Sequence, residues 1–209
     1  MTVKNPRKAP SKEGAQVTVD AILDAVDESA RTVGVEGLKI ITIARRAGVS
    51  RGTLYQYFSG IESLTAAWEE RELQRDATLV MARVLELLAR VPPLEEAITD
   101  MVELGFSVLA RRRQCFRDPR SNAEFLSRLV VRIQIEDNVA HGVAAALANA
   151  VDQHRLRTTD YLETARVVVK AVTYLGFDAG SSQPGVDIAR FRRETAQMIT
   201  CYLLRDASP

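Results

Sequence analysis

Residues 43–58 read IARRAGVSRGTLYQYF, a stretch in which arginines, glycines and tyrosines interrupt an Ala/Leu/Val-rich chain. Two short helices meeting at a tight angle need a small residue at their contact and a turn residue tolerant of positive φ. They also need apolar residues that pin the second helix to the core. Ala44 supplies the first, Gly48 the second, and Ile43, Val49 and Leu54 the third. The spacing Ala44–Gly48–Leu54 is that of a helix-turn-helix. Ser50 stands where the N-cap of the second helix belongs, so free N–H groups of its first turn can meet a phosphate.

The outward face of that second helix then carries the chemistry. Arg51 is suited to a guanine edge or a phosphate, and Gln56 to an adenine edge. Gly52 removes a side chain and permits close backbone approach to a groove. Thr53, Tyr55 and Tyr57 offer hydroxyls to the DNA backbone. From Lys39 to Ser59 the charged residues are Lys39, Arg45, Arg46 and Arg51, with no Asp or Glu. Each carboxylate there would face a polyanion. The expected DNA-contacting set is Lys39, Thr42, Arg46, Ser50, Arg51, Gly52, Thr53, Tyr55, Gln56 and Tyr57. The plainer alternative is a tight helical hairpin with a solvated basic face.

Outward from the motif the chain reads as helix throughout. Val19, Ile22, Leu23, Val26, Ala30 and Val33 recur at helical spacing, and Gly34 is placed to end that helix. Ser59 with Glu62 reads as a capping box opening a long helix to about Arg90, which Val91-Pro92-Pro93 breaks. Leu94 to about Arg113 forms the next helix, whose three closing arginines suit the negative end of its dipole. A long amphipathic segment covers about 123–154, and two further helices cover roughly 160–177 and 186–204. No useful β-alternation occurs. The expected fold is all-α with about nine helices: a basic arm at 1–16, a three-helix DNA-binding domain at 17–65, and a larger helical domain at 66–209.

IARRAGVSRGTLYQYF, preceded by AILDAVDESARTVG at 21–34, resembles the DNA-binding domain of the TetR family of bacterial transcriptional regulators over about residues 20–66. A weaker echo lies in VDQHRLRTTDYLETARVVVKAV at 151–172. Two positions differ from the common pattern. Lys39 stands where many members carry Ser or Thr, and Ile61 where many carry Lys. The resemblance implies a homodimeric regulator on a pseudo-palindromic double-stranded operator, most simply a repressor that a small-molecule effector releases. It implies that the C-terminal helices bind the effector and dimerise, with the long helix from Gly60 as the lever between domains.

The residues give that larger domain separate support. Tyr161, Ala165, Val168, Val172 and Leu175 form one stripe, and Ile188, Phe191, Met198 and Tyr202 another; paired with their symmetry mates they would build a four-helix interface. Alternatively the stripes face the monomer core. Asp137 falls on the apolar face shared by Leu126, Leu129, Ile133, Ala140 and Leu147, where a carboxylate is costly unless paired, protonated or solvated. Either it recognises a ligand, or it is a structural pair with His141 or an arginine of another helix. The candidate effector set is Trp68, Met101, Phe106, Phe125, Ile133, Asp137, His141 and Tyr174, several of which are equally suited to plain core.

Composition excludes other classes. A net charge of +1 over 209 residues argues against a globally basic nucleic-acid coat but not against a local basic face. Cys115 and Cys201 match no metal or redox spacing, His141 and His154 lack flanking ligands, and no cofactor is expected. No apolar run is long enough for a bilayer, and the N-terminus MTVKNPRKAPSKEG has no apolar signal core, so a cytoplasmic protein without membrane contact is expected. An enzyme finds no triad, metal spacing or phosphate-cradling loop in its favour, and a protein-binding helical adaptor leaves the acid-free basic motif unexplained.

Overall fold

The computed structural model describes residues 12–116, 129–178 and 187–205. Among them are eight α-helices: α1 Lys12–Val33, α2 Ile40–Arg46, α3 Arg51–Tyr57, α4 Ile61–Arg90, α5 Leu94–Arg113, α6 Leu129–Ala148, α7 Tyr161–Asp178 and α8 Ile188–Leu203. Single 3-10 turns at Val35–Gly37 and Gln153–Arg155 complete the elements. An isolated antiparallel bridge between Leu156 and Leu204 is the only extended pairing among the described residues. The all-α fold is therefore as the sequence indicates. Two compact units divide at Glu69/Glu70, inside α4.

In the first unit, α1 begins at Lys12, within the stretch read as a basic arm. Its buried residues Ile22, Val26 and Ala30 lie four apart, one face of a 3.6-residue period. Gly34 ends it in the left-handed region at φ 81°, donating its N–H to the Ala30 carbonyl at 2.8 Å. Onto this face pack the fully buried Ile43, Leu54, Leu64 and Trp68. Helix α4 starts differently from the expected capping box. Ser63, not Glu62, reaches back: its Oγ accepts from the Gly60 N–H at 3.2 Å, and Ser59 Oγ donates to Ser63 Oγ at 3.1 Å. The return bond of a capping box is thus made one residue later, by a short hydroxyl.

In the second unit, α4 stops where Val91 adopts φ 47° ahead of Pro92. A residue before proline is pushed out of the α region, and for a β-branched side chain the left-handed region costs about 1–2 kcal/mol. The strained turn folds α5 back along α4. Phe106, Val102, Ile98 and Leu94 of α5 form the core with Leu147, Ile199 and Leu203 of the later helices. Close approach of α5 and α7 depends on two glycines. A Cβ on Gly105 would lie 2.5 Å from Val172 Cγ1, and one on Gly176 would lie 2.7 Å from Leu109 Cδ1.

Two sequence expectations change here. The segment read as one helix over about 123–154 is helical to Ala148 and then turns, with Asp152 Oδ1 accepting from the Leu94 N–H at 3.3 Å; residues 123–128 lie outside the described ones. The stripe Tyr161–Ala165–Val168–Val172–Leu175 faces the monomer core, with Ala165 fully buried and the others packed against the core cluster. The exposed apolar residues of α7 are Val167 and Tyr174, offset from that stripe around the helix. On α8, Ile188, Met198 and Tyr202 are exposed as the sequence stripe requires, whereas Phe191 turns inward against Phe106, ring centroids 6.2 Å apart.

Candidate nucleic-acid interface and internal cavity

The turn of the helix-turn-helix is a Schellman closure. The Gly48 N–H bonds the Arg45 carbonyl at 3.2 Å and the Val49 N–H bonds the Ala44 carbonyl at 3.0 Å, with Gly48 at φ 69°. A Cβ at Gly48 would meet nothing within 4 Å, so the glycine is required by backbone conformation alone. Gly48→Val is therefore expected to lower the stability of the first unit by about 1–2 kcal/mol, and Gly48→Asn by clearly less. Urea denaturation followed by circular dichroism measures both; equal stability of the valine variant and the parent would show that another residue closes the turn.

Ser50 caps α3 as expected. Its backbone is extended (φ −71°, ψ 154°), and its Oγ accepts from the Thr53 N–H at 2.9 Å. Ser50 Oγ and Thr53 Oγ1 stand 2.8 Å apart, so the Thr53 hydroxyl is already engaged locally. Leu54 is completely buried and Phe58 nearly so, which locks the rotation of the seven-residue helix. That lock leaves Arg51, Gly52, Tyr55 and Gln56 exposed, at i, i+1, i+4 and i+5 of one face. Tyr57 is half-buried. A Cβ on Gly52 would meet only Ser50 Oγ, at 3.7 Å, so internal packing does not demand glycine there.

The rest of the expected set is arranged less uniformly. Lys39 is the exposed N-cap residue of α2 and makes no side-chain cap bond; Thr42 is half-buried. Arg46 turns back onto α1, donating from Nη1 to Ser29 Oγ at 3.1 Å with Glu28 3.5 Å from its Nε. Ile61, the first residue of α4, is half-buried.

The second unit forms a partly open cavity of about 210 Å³ lined by α4, α5, α6, α7 and α8. Of the eight residues proposed from sequence to touch an effector, the wall contains Met101. Trp68 is core of the first unit, its indole Nε1 donating to Asp27 Oδ1 at 3.4 Å. Phe106 is buried beside Phe191, and Tyr174 and His141 are exposed. Phe125 and the Ile133 side chain lie outside the described residues.

Asp137 resolves as the paired alternative. Arg166 Nε of α7 donates to Asp137 Oδ1 at 2.9 Å, and Arg166 Nη1 donates to Glu163 Oε2 at 3.1 Å. His141 Nδ1 lies 2.8 Å from the Asp137 carbonyl oxygen. The Asp137 hydrogen bond, then that of Glu163, pushes the Arg166 guanidinium further above its usual high pKa. The neighbouring Glu136, about 100° away around the helix, faces the cavity instead.

Sequence reasoning missed the polar pair on the cavity wall. Asp76 of α4 accepts from Arg112 Nε at 3.0 Å and from Arg111 on its other oxygen. Arg112, read as one of three cations at a helix end, is buried. The available signal was the run of acids at Glu69, Glu72 and Asp76, spaced by three and four on one face of a long helix; all three are buried.

Among the described residues no group of His, Cys, Asp or Glu is placed to hold a metal, and no helix is long and apolar enough to cross a membrane.

A serine-capped helix held against a glycine turn, with its polar face outward, defines the first unit as a helix-turn-helix module. Residues 22–67 match the family model described as bacterial regulatory proteins, tetR family. An uncharacterised HTH-type transcriptional regulator of Mycobacterium tuberculosis is 29% identical over 94 residues, covering 45% of this chain and 46% of that protein. The chain thus spans about half the length of this relative. Likeness in fold extends further. SmeT, the repressor of the Stenotrophomonas maltophilia multidrug efflux pump SmeDEF, superposes with a TM-score of 0.63 at 20% identity, covering 92% of this chain and 93% of SmeT. A transcriptional regulator of Cytophaga hutchinsonii gives 0.70 at 14% identity, over 90% and 98%.

Proposed function

We propose that the protein is a homodimeric transcriptional regulator, a repressor that leaves a pseudo-palindromic operator when a small molecule fills the cavity of the second unit. The observation that carries this reading is the exposed, acid-free face Arg51–Gly52–Tyr55–Gln56 on a helix whose orientation is fixed by Leu54 and the Ser50 cap. Arg51 and Gln56 read base edges, while the Tyr55 hydroxyl and Lys39 meet phosphates. The exposed Val167 and Tyr174 of α7 with Met198 and Tyr202 of α8 supply the dimer contact. Two recognition helices then stand about 34 Å apart, or a multiple of it, on one face of the duplex.

Release follows if the ligand binds the DNA-incompetent arrangement more tightly, since only differential affinity shifts an equilibrium. Helix α4 is the lever: it holds Trp68 in the first unit and Asp76 to Leu88 on the cavity wall in the second.

Selection of bound DNA from a random pool, followed by mobility shift over a salt series, tests the reading. Arg51→Ala is expected to weaken the selected site by about 1–3 kcal/mol and to relax preference at one base step. An unchanged selected motif removes Arg51 from base reading. Absence of any specific complex removes the regulator itself.

A further inference from the structure

We infer that the cavity of the second unit takes the hydrocarbon chain of a long, unbranched aliphatic amphiphile, with its polar head at the Asp76–Arg112 end. The inference rests on the ligand-released reading above and names the ligand class of that site.

Shape is the first reason. The wall residues of α4 run from Leu73 through Asp76, Ala77, Val80, Val84 and Leu87 to Leu88, about 22 Å at about 1.5 Å per residue, with Val91 just past the helix end. Helix α5 runs back along it, placing Leu94 at the Val91 end and Arg112 at the Asp76 end. Helix α6 lies alongside, with Gly142 so close to Met81 that a Cβ would sit 2.8 Å from its Cε. The lining residues thus run the length of α5, from Leu94 to Arg112.

Wall chemistry is the second. Among the described residues that line it there is no Phe, Tyr or Trp; most are Val, Leu, Ile, Ala and Met, with Pro92, Gly105 and the polar Asp76, Arg112, Glu136, Asn149 and Thr173. Among those residues a planar aromatic ligand has no ring to stack on, and a quaternary ammonium no aromatic cage. A flexible alkyl chain needs only a dry aliphatic surface and many weak dispersion contacts.

The charged side chains set the direction, Thr173 of α7 being the one further hydroxyl among the described lining residues. Asp76, Arg112 and Glu136 gather at one end. At the other end Asn149 spends its amide on the Ala145 carbonyl at 2.8 Å, beside Val91, Pro92 and Leu94. Carboxylate and guanidinium stand together at the polar end, so it accepts a polar head without demanding one sign of charge.

Calorimetric titration of the full chain with octanoate, laurate and palmitate, and with octanol and dodecanol, all kept below their aggregation concentrations, tests this. Affinity is expected to rise about fourfold per added methylene in both series until the cavity is full. Ala97→Phe fills the Leu94 end and should abolish the gain from laurate to palmitate while sparing octanoate. Ala77→Phe, beside Asp76, should weaken every length. Circular dichroism melts establish that the variants fold, and Ala146→Phe replaces Ala97→Phe if that one does not. Affinity independent of chain length, tighter binding of naphthoate than of laurate, or an unchanged palmitate affinity in the folded tail-end variant overturns the inference. Mobility shift on the selected operator separates the two levels. Release by naphthoate but not by laurate or palmitate overturns the chain and keeps the regulator. Loss of any specific DNA complex overturns the regulator, while calorimetry still decides the cavity's ligand.

Discussion

Asp76→Ala is expected to lower the unfolding free energy of the second unit by about 3–5 kcal/mol, because it takes two charge-assisted hydrogen bonds from the buried Arg112 guanidinium. Asp76 is the partner of two arginines at once. Arg112 is almost wholly enclosed, its side chain 5% exposed, whereas Arg111 is 41% exposed and can return to water. The cost therefore falls on Arg112. Taking both charges away is different: Asp76→Leu with Arg112→Leu removes the desolvation penalty together with the attraction, and the double variant should recover most of the loss. Urea denaturation of the two singles and the double gives the coupling energy directly. A loss below about 1 kcal/mol for Asp76→Ala would mean that water screens the pair as it screens a surface ion pair. Both side chains also line the cavity, so the arrangement that gives that cavity its polar end is the one that holds α5 against α4.

Trp68→Ala should be comparably severe, costing the first unit about 3–5 kcal/mol, the usual range for truncating a buried aromatic. The indole is 1% exposed, among the largest fully buried side chains of the molecule, and its N–H is spent on Asp27. Trp68→Phe should lie between, losing that hydrogen bond and part of the volume. Denaturation followed by circular dichroism measures the loss, and mobility shift should show operator binding weakened in step with it. A second measurement separates core from effector contact. Affinity of the second unit's cavity for laurate should be unchanged in Trp68→Phe; a drop there with stability intact would return Trp68 to the ligand site.

Local features were legible because they rest on local rules. Gly48 had to be glycine for a left-handed turn, Ser50 had to cap, and Leu54 had to be buried; each depends on residues within one turn of helix. The same holds for the Val91-Pro92-Pro93 break. The larger unit was less legible where one helix offers several faces. Periodicity identifies an apolar face but not what covers it, so the α7 stripe through Val168 and Val172 read as an interface and proved to be core. Asp137 illustrates the same limit. One residue's rotation puts Glu136 on the cavity wall and Asp137 beside Arg166, 29 positions away in the chain.

By itself, then, the sequence determined the all-helical class, the helix-turn-helix and the residues of its outward face, because spacing, capping and backbone preference act over a few residues. Tertiary structure alone decided which of many aliphatic side chains line a cavity, and that Asp76 and Arg112 meet at its end. Those outcomes depend on how distant helices rotate against one another, a choice set by glycine-permitted close packing at Gly105, Gly142 and Gly176.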